Sequence, residues 1–239
     1  MEIKVNALVL SSIDYKDNDK ILTLLTAEKG KLSAGIKGVK KAGAKLKFAA
    51  QPLCFAEYVL NEKGGKYTVI NASECESFYE LRTDFCKLYP AFAICEIAQV
   101  LTYEGEENKD VLYSAINALT QICNGDADVA LLTFFMNALA FAGYGVLPTD
   151  CIDCGESLIH AEKMKFDLST GTFRCWECGE GLGVSGTTFN TLRKVAGKEF
   201  DAHKITPDGI KRALKLLREY CLFKVDAKFS ALDEYIKSL

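Results

Sequence analysis

The strongest constraint on how this chain can fold is a pair of short cysteine motifs. Two residues separate Cys151 from Cys154, two separate Cys175 from Cys178, a glycine follows each pair, and 20 residues lie between the pairs. This spacing is typical of a zinc ribbon, in which four thiolates surround one Zn²⁺ ion tetrahedrally. We therefore predict one structural Zn²⁺ per chain, because four cysteine ligands leave no coordination position for a reactive water.

Other readings of these motifs are an iron–sulfur cluster or a redox pair, although no thioredoxin-like βαβ pattern surrounds either one. His160 lies between the motifs and is either a spare ligand or, as we expect, an exposed side chain. Arg174 and Trp176 lie in the same region and could contact a nucleic acid. We expect them to serve packing and solvation instead.

Six further cysteines stand singly among apolar residues. The start of the chain lacks the pattern of a secretory signal, so we expect a cytoplasmic protein with free thiols. Free cysteines are usually small buried hydrophobic groups. We predict this for all six, namely Cys54, Cys75, Cys86, Cys95, Cys123 and Cys221.

Composition indicates an ordinary globular protein, since 49% of the 239 residues are hydrophobic and 26% are charged. No charged residue occurs between Val129 and Thr149. Asn137 and Gly143 interrupt this stretch, which argues against a membrane span of about 20 continuous apolar residues. We predict a buried helix over Val129–Ala142.

Residues 4–77 show the alternating pattern of β-strands. A turn-forming cluster at residues 61–65 predicts a hairpin. Five short strands in so few residues favour a small barrel of the oligonucleotide-binding type. The predicted strands are Val5–Leu10, Ile21–Thr26, Leu32–Ile36, Leu53–Leu60 and Tyr67–Ile70.

After Glu76 the hydrophobic period changes to about 3.6 residues, which predicts helices. Residues 148–186 lose that period, and helical signals resume at Thr187 and again at Thr206, a predicted N-cap. We predict a multidomain α+β protein. Its parts are an OB-fold β-barrel domain (1–77), a helical bundle (78–147), an inserted four-cysteine zinc ribbon (148–186) and C-terminal helices that complete the helical domain (187–239).

A strongly basic stretch lies inside this acidic chain, whose formal net charge is −3. No acidic residue occurs between Glu28 and Glu57, whereas seven lysines do. Such a stretch is either a solvated loop or a surface that neutralises phosphates, and its place in the barrel favours DNA. Phe48, Phe55, Tyr58 and Tyr67 either stack on bases or fill the barrel. The lysines are Lys29, Lys31, Lys37, Lys40, Lys41, Lys45 and Lys47.

Catalysis leaves no recognisable pattern. Nucleotide-binding, zinc-protease and serine-hydrolase motifs are absent from the sequence. The two histidines, His160 and His203, are both expected on the surface. We therefore predict that the protein is not an enzyme.

The order of these parts resembles the RecO family of bacterial recombination mediators over essentially the whole length. The N-terminal likeness lies in Ala7–Leu10, Asp19–Ile21, Leu25–Leu32 and Ile36–Lys41. A second match is the segment Ala140–Pro148 leading into Cys151–Gly155, an apolar helix that ends at glycine and proline and enters a cysteine motif.

The resemblance implies binding of single- and double-stranded DNA, annealing of complementary strands, and partnership with RecR. It also implies contact with the C-terminal tail of the single-stranded-DNA-binding protein and indirect help in loading RecA. By position, Lys31, Lys37, Lys40 and Lys41 match the family's basic surface, and Lys45 and Lys47 extend it. The tail contact is expected at Lys211, Arg212, Lys215 and Arg218, beside Leu214 and Leu217.

Two other functions remain open on the sequence. One is an adaptor that binds only proteins, its lysines meeting acidic tails. The other is a zinc enzyme acting on nucleic acid, which four thiolate ligands disfavour.

Overall fold

The computed structural model describes residues 1–197 and 205–239, and these form two compact units, Met1–Ala127 and Asp128–Leu239. The division into four segments given above stays a prediction. The first three helices belong with the barrel, and the fourth belongs with the cysteine-rich region. His203 lies outside the described residues.

The first unit begins with a closed five-stranded barrel in the order β1-β2-β3-β5-β4. All neighbouring strands are antiparallel except β3 and β5, which are parallel. This confirms the predicted OB-type barrel. The strands are β1 (Glu2–Tyr15), β2 (Asp19–Thr26), β3 (Gly30–Ile36), β4 (Phe55–Lys63) and β5 (Lys66–Glu76).

Alternating apolar residues of the strands fill the barrel. Val5, Val9, Leu22 and Leu24 are buried in its core. Tyr58 is also buried there, and its hydroxyl donates a hydrogen bond of 2.8 Å to the Ala49 carbonyl. Burial strongly raises the pKa of Tyr58. Tyr58 therefore serves as a core residue, the second of the two roles considered for it.

Three helices complete the first unit: α1 (Tyr79–Thr83), α2 (Phe85–Leu101) and α3 (Lys109–Cys123). The guanidinium of Arg82 donates to the carbonyls of Pro52 and Ser77, at 2.7 and 3.0 Å, and so fastens α1 to the barrel. The carboxylate of Asp84 accepts a hydrogen bond from the Cys86 N–H and caps α2.

Within its described residues, the second unit combines four α-helices with a small antiparallel sheet of order β7-β6-β8. Ser185 caps α5 and Thr206 caps α6, each accepting a hydrogen bond from an N–H three residues ahead. The Thr206 cap is as predicted. The elements are α4 (Ala127–Phe141), β6 (Lys163–Asp167), β7 (Thr172–Arg174), β8 (Leu182–Ser185), α5 (Gly186–Ala196), α6 (Pro207–Lys224) and α7 (Ser230–Ser238).

Helix α4 contains most of the uncharged segment predicted to lie in the core. Three of its residues, Leu131, Phe135 and Leu139, are completely buried. Among the described residues, no helix has both the length and the apolar character that crossing a membrane requires.

Four aromatic rings join the sheet of the second unit to its helices. Phe166 of β6 lies 4.9 Å from Phe173 of β7 and 5.4 Å from Tyr220 of α6, measured between ring centroids. Phe173 lies 5.0 Å from Phe189 of α5. The rings of this aromatic cluster are all buried. The cysteine-rich region therefore shares a core with helices α5 and α6.

The six single cysteines divide by position. Cys54, Cys95 and Cys221 are buried as predicted, and burial raises their pKa values to about 11, about 12 and about 12. Cys123 is half-buried.

For Cys75 and Cys86 the prediction of burial is wrong, because both are exposed. Cys75 stands at an irregularity of β5, where Glu74 and Glu76 pair with successive residues of β4 and Cys75 has no partner. Cys86 lies in the first turn of α2. An apolar sequence neighbourhood does not reveal such local departures from the regular pattern.

Candidate nucleic-acid interface and metal centre

Five of the six lysines predicted to bind DNA lie in one segment after β3, residues 37–47, here called the basic loop. All five are exposed: Lys37, Lys40, Lys41, Lys45 and Lys47. The turn between β1 and β2 holds the start of the loop. Gly38 N–H donates to the Asp19 carboxylate at 2.8 Å, and Lys40 N–H donates to the Asn18 carbonyl at 3.1 Å. The loop is thereby fixed to the barrel.

Strand β1 supplies an acid that the basic stretch itself lacks. The Asp14 carboxylate lies 2.6 Å from the Lys40 ammonium and 3.0 Å from the Lys20 ammonium. Hydrogen bonds from Lys40 and Lys20 lower the pKa of Asp14 below its usual value. Lys40 is therefore ion-paired with an acid from outside the basic stretch, while it remains exposed to solvent.

The β1–β2 turn adds groups that the sequence reasoning missed. Lys16 in the turn and the half-buried Lys20 at the start of β2 add two more ammonium groups, and Tyr15, the last residue of β1, is 47% exposed with the Lys16 ammonium 5.3 Å from its ring centroid. The available signal was a polar turn between two predicted strands, but nothing in the sequence placed that turn against the basic loop.

Lys31 is in a different environment from the other five. It lies in β3, is half-buried, and its ammonium donates a hydrogen bond to the Gln99 carbonyl near the end of α2. Burial lowers the pKa of Lys31, and the charge of Glu104 opposes that shift. The structure thus ties Lys31 to another part of the first unit.

The remaining aromatic candidates, Phe48, Phe55 and Tyr67, are half-buried, and Phe48 and Tyr67 pack against the barrel core. Tyr15 presents more aromatic surface to solvent than the fully buried Tyr58. Lysines outnumber the exposed acids of this region, Asp14 and Asp17, so its surface attracts a polyanion without discriminating among bases.

The two cysteine motifs meet in the second unit. The sulfur atoms of Cys151, Cys154, Cys175 and Cys178 all lie within 4.8 Å of one another. Those of Cys154 and Cys175 are 3.9 Å apart. A tetrahedron with metal–sulfur bonds of about 2.3 Å has edges of about 3.8 Å. This four-cysteine cluster therefore has the dimensions of a metal site.

The backbone shapes both motifs for this purpose. The Cys175 N–H points at the Cys151 sulfur, 3.2 Å away, and the Gly155 N–H donates to the Cys151 carbonyl at 2.9 Å. Gly155 and Gly179, the closing residues, have φ values of +74° and +57°. Glycine adopts these values at no steric cost, which explains its place after each pair.

The sulfur atoms differ in their affinity for protons. Burial opposes ionisation of Cys151, but backbone N–H groups, those of Cys154 and Cys175 foremost, prevail and lower its pKa to about 6. The pKa of Cys178 is raised, chiefly by the neighbouring thiols of Cys175 and Cys154, and that of Cys154 is also raised. Such a cluster suits a cation, which would favour the thiolate form of every ligand.

Other candidates near the cluster have structural partners. Arg174 lies 2.8 Å from the Asp153 carboxylate and 3.0 Å from that of Asp167. The Lys163 ammonium lies 4.1 Å from the ring centroid of Trp176. His160 is exposed and is not part of the cluster.

The four basic residues predicted on α6 do not form one patch. Arg212 and Lys215 line a groove of about 390 Å³ between α6 and β8, together with Leu182 and Leu216. Arg218 instead pairs with Asp233 of α7. Lys211 is half-buried, and the two leucines predicted beside the patch, Leu214 and Leu217, are completely buried.

Comparison with known proteins gives consistent matches along the chain. The family described as "Recombination protein O N terminal" matches residues 1–79, and "Recombination protein O C terminal" matches residues 82–233. Three similar proteins are each named DNA repair protein RecO. The one from Clostridium perfringens is 29% identical over 83% of this chain and 82% of its own length. The one from Desulforamulus reducens is 32% identical over 73% and 68%, and the one from Acetivibrio thermocellus is 24% identical over 99% and 97%.

Proposed function

Because this chain belongs to the RecO family of DNA repair proteins, we propose that it is a recombination mediator that binds DNA and carries out no catalysis itself. In this role it binds single- and double-stranded DNA, anneals complementary strands and, with RecR, helps to load RecA onto DNA coated by the single-stranded-DNA-binding protein.

The observation that carries this proposal is the basic loop and its attachment to the barrel. Its exposed ammonium groups are held by the β1–β2 turn rather than on a free chain. Lysines bind phosphates through charge and counterion release, so one surface serves single and double strands alike. Binding that ignores base identity is what an annealing protein requires, because the bases must remain available to pair.

We assign the DNA contacts to Lys37, Lys41, Lys45 and Lys47. Lys40 belongs to the same surface but forms an ion pair with Asp14. Lys16 and Lys20 extend the same surface. Lys31, the sixth lysine assigned from the sequence, has its ammonium bonded to the Gln99 carbonyl instead.

The partner contact is assigned to the groove on the second unit. Arg212 and Lys215 supply positive charge beside the apolar side chains of Leu182 and Leu216, although Arg212 also pairs with Asp208 at 2.9 Å and Glu219 lines the same groove. This combination suits an acidic, hydrophobic peptide such as the C-terminal tail of the single-stranded-DNA-binding protein. Lys211 and Arg218 are the weaker members of the original assignment, since Arg218 pairs with Asp233.

We assign Zn²⁺ to the four-cysteine cluster. An all-thiolate tetrahedral set is the usual structural zinc site. With all four positions filled by protein sulfur, the ion would stabilise the cysteine-rich region and leave no place for a metal-bound water. We also place the protein in the cytoplasm, associated with the nucleoid, because its proposed substrate is there.

A titration of fluorescently labelled single-stranded oligonucleotide, followed by anisotropy, tests the DNA assignment. We expect Lys37→Glu/Lys41→Glu to weaken binding by at least about tenfold at low salt and to flatten its salt dependence. The matched control is Lys109→Glu/Lys228→Glu, which makes the same charge change at exposed positions outside the basic loop. Equal effects of the two variants would refute the assignment of the loop.

Strand annealing, with and without the single-stranded-DNA-binding protein and at two salt concentrations, tests the wider role. If complementary strands still anneal when the single-stranded-DNA-binding protein coats them, the result supports the role of a mediator. The alternative is an adaptor that bridges RecR and the single-stranded-DNA-binding protein without touching DNA. Capture of both proteins, together with no binding of naked DNA at any salt concentration, would establish that alternative.

A further inference from the structure

The turn between β2 and β3 is covered by a segment from another part of the first unit. This segment, residues 102–108, connects α2 to α3 and contains Glu104, Glu106 and Glu107. We call it the acidic connection. Glu104 forms backbone bridges with Gly30 and with Lys31 at the start of β3.

Close backbone contact fixes the acidic connection in place. Gly30 has a φ of +64°, and a Cβ atom there would lie 1.7 Å from the carbonyl oxygen of Glu106. A residue with a side chain could not occupy this position without displacing the connection. The bond from the Lys31 ammonium to the Gln99 carbonyl holds the adjoining end of α2. The carboxylates of the connection are therefore a permanent part of this surface.

The charge at this end of β3 is acidic. Glu28, Glu104 and Glu107 line a cavity of about 560 Å³ together with Lys29 and Lys31. The three glutamates of the acidic connection and Glu28 are all exposed. Three carboxylates thus line the same cavity as the first two lysines of the basic stretch, and two of them come from outside that stretch.

The other end of the same strand is basic. β3 has seven residues, so it spans about 20 Å, and the basic loop begins directly after it. Electrostatic screening at physiological salt acts over about 8 Å. The carboxylates of the acidic connection therefore lower the positive potential around Lys29 and Lys31, and the basic loop lies beyond their range.

We infer that the acidic connection ends the DNA track of the barrel, so that a bound strand follows the basic loop and the β1–β2 turn and does not reach Lys29 and Lys31. This inference rests on the proposed DNA binding. It makes Glu104, Glu106 and Glu107 determinants of how long a strand the barrel covers.

The test is the triple variant Glu104→Gln/Glu106→Gln/Glu107→Gln, titrated with labelled single-stranded oligonucleotides of increasing length. We expect affinity at low salt to rise about three- to tenfold. The slope of log affinity against log salt should steepen by about 0.7 for each additional phosphate contacted. The shortest oligonucleotide that reaches full affinity should become longer, because the track would extend to Lys29.

A matched control separates this effect from net charge alone. Glu2→Gln/Glu80→Gln/Asp126→Asn removes three charges at exposed positions of the same unit. We expect less than about a twofold change from it. Adding Lys29→Gln to the triple variant should abolish most of the gain, whereas Lys29→Gln alone should change little.

The inference is overturned if the triple variant binds like the unaltered protein, or if the control gains as much. Either result would leave the proposed function intact provided that reversal of Lys37 and Lys41 still weakens binding. Failure of the unaltered protein to bind DNA at any salt concentration would overturn both. Should the triple variant unfold, Glu104→Gln and Glu107→Gln tested singly give the same comparison with smaller gains.

Discussion

The basic loop and the four-cysteine cluster were both conspicuous in the sequence. In the structure the cysteines come together at one site, whereas the lysines of the basic stretch are separated into different environments. The cysteine motifs, 20 residues apart, meet with all four sulfur atoms within 4.8 Å. The lysines lie close together in the sequence, within residues 29–47, but the structure divides them. Those of the basic loop remain exposed, whereas Lys31 is half-buried, bonded to Gln99 and close to the acidic connection.

The difference follows from how far each property depends on distant residues. A metal site needs four ligands in a fixed geometry, and two tight turns with closing glycines supply most of that geometry locally. A surface charge depends on every group within about 8 Å, whatever its place in the chain. Lysines that cluster in the sequence are therefore a weaker guide to a binding surface than paired cysteines are to a metal site.

The sharpest test of the cysteine side of this comparison is the loss of one ligand. We expect Cys175→Ser to reduce bound zinc from one ion per chain to nearly none, measured by metal analysis after gel filtration. Cys86→Ser, at an exposed cysteine outside the cluster, should keep its metal. Full zinc content in the Cys175 variant would mean that the cluster is not the site.

The second prediction concerns pH, which should change zinc binding at the cysteine cluster much more than DNA binding at the basic loop. The raised pKa values of Cys154 and Cys178 mean that both thiols release protons when a cation binds. Release of these two protons alone should lower zinc affinity at least about a hundredfold for each unit of pH lost. Competition with a chromophoric chelator at pH 7.5 and 6.5 measures this.

DNA binding should change little over the same range. The pKa of Asp14, the acid paired with the basic loop, lies below its usual value, so its charge is constant there. A zinc affinity independent of pH, or a DNA affinity that falls as steeply as that of zinc, would contradict the contrast between the two regions.

A third prediction asks whether the metal alone holds the cysteine-rich region. Phe173 is buried between Phe166 and Phe189. Phe173→Ala should therefore destabilise the second unit by about 3–5 kcal/mol, as urea unfolding would show. Phe223→Ala, at a ring that is 59% exposed, is the matched control and should cost far less. Chelation should loosen the cysteine turns while hydrogen exchange of β6 stays slow, and rapid exchange there would show that the aromatic cluster is insufficient.

The smallest expected effect compares two lysines ten residues apart in the sequence. Lys41→Gln should weaken binding of single-stranded DNA about two- to threefold at low salt and reduce the salt slope by about 0.7. Lys31→Gln, the same chemical change at a half-buried site, should leave the slope unaltered. Equal slopes for the two variants would mean that the strand passes over both ends of β3.

Much of the fold was predictable. Period-two and period-3.6 patterns predicted the barrel and the helices, and the uncharged run at Val129–Ala142 became buried α4. Burial of single cysteines was predictable where the regular pattern held, as at Cys95, and failed at Cys75, where β5 is irregular. The shared aromatic core of the cysteine-rich region was not predictable, because its rings come from four separate elements.

By itself the sequence determined the spacing of the four thiols, the strand and helix periods, and the long interval without carboxylates. Tertiary structure alone decided which of those lysines meet an acid. Barrel pairing brings Asp14 to Lys40, and the connection after α2 brings Glu104 to Lys31. The reason is physical: backbone turns are set by neighbouring residues, whereas electrostatic interactions depend on distance in space.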